Sequence, residues 1–121
     1  MTELIDRIVS QVGVDRPIAE KSVGIILDFL SKEGAPEKVQ ALLARLPGHE
    51  ALIAAAAGES GGMFASMGGI MGVGSRLMGL GLGMGEIQNV IRELMAYSRE
   101  QGAGDALTDI AASIPGLSAY I

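Results

Sequence analysis

The sequence predicts an all-α fold: one compact helical domain, residues 1–121, of six to eight helices. These come from two pseudo-symmetric three-helix repeats, about 2–53 and 70–121, joined by a Gly/Met-rich connection over 54–69. Three observations carry this. Residues 13–53 and 81–121 are the same segment written twice, 68 positions apart, with eight identities in 41 aligned positions. The identities include the punctuation: Gly13 with Gly81, Gly34-Ala35 with Gly102-Ala103, Pro47-Gly48 with Pro115-Gly116. A duplication of this size makes one supersecondary unit the building block. Apolar residues also recur at helical spacing in both copies, and no run alternates as a half-buried strand would. Finally, the hydrophobic 49% is rich in Ala, Leu, Ile and Met, with only Phe29, Phe64, Tyr97 and Tyr120 aromatic, which suits helices better than sheets.

The first helix is read over residues 2–12, where Leu4, Ile5, Ile8, Val9 and Val12 form one stripe closed by Gly13. Its counterpart at 70–80 keeps Val73, Leu77 and Leu80 but is interrupted by Gly, which disfavours helix by about 1 kcal/mol per residue relative to Ala. The repeat argues for a helix there all the same. The second helix carries Ala19, Ser22, Val23, Ile26, Leu27 and Leu30, matched by Ile87, Val90, Ile91, Leu94, Met95 and Ser98. Asp15 is its expected N-cap, Pro17 belongs in its first turn, and Gly34 and Gly102 are expected as left-handed C-terminal residues. The third helix shows Val39, Leu42, Leu43 and Leu46 against Leu107, Ile110, Ala111 and Ile114. Pro36 starts the first copy, Asp105 sits at the positive end of the second, and Pro47 and Pro115 stop them. Apolar residues resume after each Pro-Gly.

Charge narrows the function classes. The net charge is −5 and is shared evenly, with no Lys/Arg cluster, so nucleic acid is not an expected partner. The absence of Cys excludes disulfides and thiolate chemistry. The start, Met-Thr-Glu-Leu-Ile-Asp, lacks the basic and apolar regions of a secretory signal, and a cytoplasmic location is expected, with export or membrane association left open.

No constellation carries chemistry. His49 is the single histidine and pairs with no metal-ligand spacing, so it is read as a solvated residue in a helical first turn. Glu86, Glu93 and Glu100 recur every seven residues and are read as a solvated helix face. No histidine is placed by the sequence to activate a serine. The expectation is a chain without catalytic residues, cofactor or metal site.

The segment 61–85 holds ten Gly and five Met, with Arg76 its one charge. Three readings compete: close helix packing through small residues four apart, a hinge between the repeats, or insertion into lipid. The candidate interaction residues are Met63, Met67, Gly68, Met71, Gly72, Met78 and Met84. They predict a protein–protein interaction or homo-oligomerisation module, with a lipid- or apolar-ligand-binding protein as the alternative. Residues 58–85 and 103–121 are expected to carry any contact, on a stable scaffold of 16–46.

The order QVGVDRPIAEKSVGIILDFLSKEG, then ALLARLPGHEALI, a Gly-rich middle and LGMGEIQNVIRELMAYSREQG resembles a bacterial family of unknown function labelled VcgC/VcgE-like. Leu42 to Gly48 carries the most specific part, and the likeness spans residues 11–103. It implies an all-α fold and no functional residues. Members of that family often look exported, whereas this chain begins without a leader.

Overall fold

A computed structural model describes residues 2–46, 48–56 and 69–113. Among them are seven helices and no strand: α1 (Thr2–Val12), α2 (Arg16–Glu33), α3 (Pro36–Ala44), α4 (His49–Ala56), α5 (Gly69–Gly79), α6 (Met84–Glu100) and α7 (Gly104–Ser113). Shifting α1, α2 and α3 by 68 positions lands on α5, α6 and α7 to within one residue at nearly every boundary. The first unit holds a fourth helix, α4, at the helical turn expected at His49 and beyond the three helices of the repeat. It runs to Ala56, so the connection begins later than residue 54. Pro47, Ile114 and Pro115 lie outside the described residues.

The units are interleaved. α1 packs on α6 and α5 packs on α2, while α2 meets α6 and α3 meets α7. Within the units α1 touches α2 and α5 touches α6. Exchanging the two units maps this set of pairings onto itself, which is the signature of a two-fold relation. The exception is α4, which packs on α2.

That exception explains why α2 is the central helix. Ser22 to Leu27 are six successive buried residues, so α2 is covered on all sides at mid-length. On α6 the counterparts of Gly24 and Ile25 are Arg92, exposed, and Glu93, half-buried. An amphipathic stripe predicts one covered face; α4 supplies the second cover, over residues that are apolar only in the first copy. Burying a residue such as Ile25 contributes about 1.5–3 kcal/mol. The two buried hydroxyls are satisfied locally: Ser22 Oγ donates to Ala19 O at 2.8 Å and Ser98 Oγ to Leu94 O at 2.8 Å.

At the helix ends two expectations hold in position and one is corrected. Asp15 occupies the N-cap with extended backbone, but its side chain makes no capping bond. Gly102 does adopt the left-handed region (φ 81°), and Ala103 N–H donates to Ser98 O at 2.8 Å, closing α6. Gly34 does not: its φ is −83°. Glycine is required there by crowding, since a Cβ would come within 2.7 Å of Leu30 O and 2.9 Å of both Ile110 and Val39.

The α1–α6 and α5–α2 seams each carry an arginine. Arg7 on α1 pairs with Glu93 of α6 (3.2 Å) and with Glu100 one heptad on. Arg76 on α5 pairs with Asp28 of α2 (3.3 Å), which also takes Lys32 (3.0 Å). The hydrogen bond to Glu100 raises the Arg7 pKa, with slight burial opposing it. The Glu row is therefore solvated only in part, since Glu100 is exposed while Glu93 is half-buried against Arg7. Glu93 and Glu100 hold α1, and Glu86 accepts the Gly83 N–H at 3.0 Å at the start of α6.

Candidate functional site

The interleaving leaves one apolar groove where four helices meet. α2 contributes Ile26, Phe29 and Leu30, and α5 contributes Val73, Gly74 and Leu77. α6 adds Met84, Ile87, Ile91, Leu94 and Met95, and α7 adds Leu107 and Ala111. None of these side chains carries a nitrogen or oxygen atom. The groove is half open and holds about 60 Å³ of free space. Pockets for drug-sized ligands run from about 300 to 1,000 Å³ and present a few oriented polar groups. This groove offers neither, and water entering it would find no side-chain hydrogen-bond partner. It suits one or two apolar side-chain tips.

Two of the groove positions differ between the copies in a way that opens its wall. Ala111 stands at the position of Leu43, and Met95 at that of Leu27. Leu27 is fully buried, whereas Met95 is only partly covered. Gly74 leaves its wall bare, since a Cβ there would meet nothing within 4 Å.

The sequence-predicted residues divide. Met84 lines the groove and is 47% exposed at its rim. Met78, near the end of α5, is 51% exposed without lining it. Gly72 is buried within α5, and of Met71 only the backbone, on the same helix, is described. Met63, Met67 and Gly68 lie outside the described residues. Residues 69–79 are helix packed on α2 and α6, so in this part of 61–85 the structure shows neither a hinge nor a lipid-facing span. Arg76, awkward for a bilayer, is held by Asp28. Among the described residues no helix is long and apolar enough to cross a membrane. Sequence reasoning missed the walls from the other elements, Phe29 and Leu30 of α2 and Leu107 of α7. The visible signal was the Leu43 to Ala111 and Leu27 to Met95 thinning between copies.

His49 is not the solvated residue expected. It is half-buried at the start of α4, with Nδ1 donating to Leu46 O at 2.8 Å. That bond ties α4 to the end of α3 and leaves Nε2 outward. Among the described residues no group of three His, Asp or Glu is placed to hold a metal ion.

No protein-family model, curated protein sequence or solved structure matches this chain.

Proposed function

We propose that the chain is a non-catalytic protein-interaction module that receives an apolar helix in the groove between α2, α5, α6 and α7. The observation that carries this reading is the wholly apolar, half-open wall with Met84 47% exposed at its rim. Helix-in-groove recognition uses such walls, with apolar anchors spaced one turn apart on the incoming helix. Flexible Met side chains at the rim adapt to the anchors they meet. Self-association through this face is the homomeric version of the same reading. The resemblance to the VcgC/VcgE-like family carries no functional residues, so the proposal rests on the groove.

The test is the methyl spectrum of the intact protein, labelled at its seven methionines. A Leu-rich amphipathic helical peptide should shift Met84 and Met95, and Met84→Glu should remove the response. A spectrum that ignores the peptide but moves at Met84 and Met95 with a short-chain alcohol would replace this reading with apolar-ligand binding.

A further inference from the structure

We propose that the helix taken up by the groove is acidic along one edge, and that Arg92 and Arg99 recognise it. This rests on the interaction reading above and names the chemistry of the partner.

The register of α6 places two arginines beside the groove. Met84, Ile87, Ile91, Leu94 and Met95 face the groove. At 100° per residue, the side chains next around the helix beyond Met95, on the open side, are Gln88, Arg99 and Arg92. Both arginines are exposed. Their pairing state sets them apart from most of the chain's cations. Arg7, Arg16, Lys32, Lys38 and Arg76 each bind a carboxylate. Among the described residues, Arg92 and Arg99 form no ion pair. The acids of α6 cannot serve them, because Glu86, Glu93 and Glu100 lie on the other side of the helix. There Glu86 is taken by Gly83 N–H, and Glu93 and Glu100 by Arg7.

Arg99 is also held in place. Its stem lies across the start of α7, where a Cβ on Gly104 would come within 2.9 Å of the Arg99 Cγ. A stem fixed in this way loses less rotamer freedom on binding. Two guanidinium groups seven residues apart stand about 10 Å apart along the axis. An incoming helix lying along α6 meets that spacing with Asp or Glu at i and i+7, each able to take a bidentate pair. The chain carries −5 overall, so its long-range field opposes an acidic partner. The preference therefore acts at contact, within a screening length of about 8 Å at physiological salt.

The experiment uses the full chain and three synthetic helices with the same Leu stripe, carrying Glu, Gln or Lys at i and i+7 of one edge. Affinity is measured by titration at low and at 0.5 M salt for the wild type, Arg92→Glu/Arg99→Glu and Met84→Glu. The thermal transition of each variant is checked first. The wild type should bind the Glu helix roughly threefold to tenfold more tightly than the Gln helix, as expected for two exposed pairs. High salt should erase the preference, and the double variant should reverse it in favour of the Lys helix. Equal binding of all three helices, all lost in Met84→Glu, would overturn the acidic partner and leave the groove. Absence of binding by any helix would overturn both. Flotation with phosphatidylglycerol vesicles that is lost in the double variant, without helix binding, would assign the arginines to a lipid surface instead.

Discussion

At equivalent positions the first unit carries Leu27 and Leu43 where the second carries Met95 and Ala111, and the second unit has no described counterpart of α4. The two units share helix boundaries and exchange-related packing, yet one closes its core and the other leaves a groove. The difference teaches how a duplicated fold separates tasks. Helix placement is fixed by the stripes on α1, α2, α3 and their counterparts, so it survives divergence. Closure depends on a few large side chains, so it can be given up on one side while the other maintains stability. A surface of bare Ile, Leu and Met becomes available without a new fold.

The largest test of this comparison is a pair of truncations at matched positions. Leu27→Ala should cost about 2.5–5 kcal/mol, because a fully buried side chain leaves a cavity. Met95→Ala should cost less than about 1.5 kcal/mol, since a groove wall is already partly open to water. Chemical denaturation gives both values, and equal losses would mean that the groove is as closed as the core.

Next come the matched glycines. Gly34→Ala should cost about 1–3 kcal/mol by forcing Leu30 O, Ile110 and Val39 apart. Gly102→Ala should cost about 1–2 kcal/mol through its left-handed backbone. Asn separates the two causes. It tolerates the left-handed region, so Gly102→Asn should recover part of the loss, whereas Gly34→Asn should be worse than Gly34→Ala.

A smaller gain is expected on the groove side. Gly74→Ala should raise stability by about 0.5–1 kcal/mol, because helix propensity improves and the new methyl meets no atom. A loss in the melting temperature would show that this wall has no spare room.

The smallest effect compares the two seams. Double-mutant cycles should give about 0.2–1 kcal/mol for each of Arg7–Glu93 and Arg76–Asp28. The second should be the larger of the two, because its side chains are the less exposed, 16% and 19% against 30% and 22%.

Much of the fold was legible in the residues. The duplication and the i, i+3, i+4 spacing placed six helices, and the stripes from Ala19 to Leu30 and from Ile87 to Leu94 are buried as their period requires. What periodicity cannot show is which helix is covered twice. Ile25 reads as off-stripe, and only the packing of α4 on α2 accounts for its burial. The glutamates were partly misread for a similar reason: a row at seven-residue spacing looks the same whether it faces water or an arginine of another helix. The groove was half legible. The smaller side chains of the second copy pointed to the region, but the walls from α2 and α7 are long-range neighbours that no local pattern brings together.

The pairing of α1 with α6 sets a schedule for synthesis. Roughly seventy residues separate the two helices, so a chain emerging at 5–20 residues per second waits about 4–14 seconds between them. During that interval α1 has only α2 to pack on, and the face of α2 that later meets α5 and α6 has no cover. The nascent chain thus passes through a stage in which apolar helix faces wait for partners that lie far along the sequence.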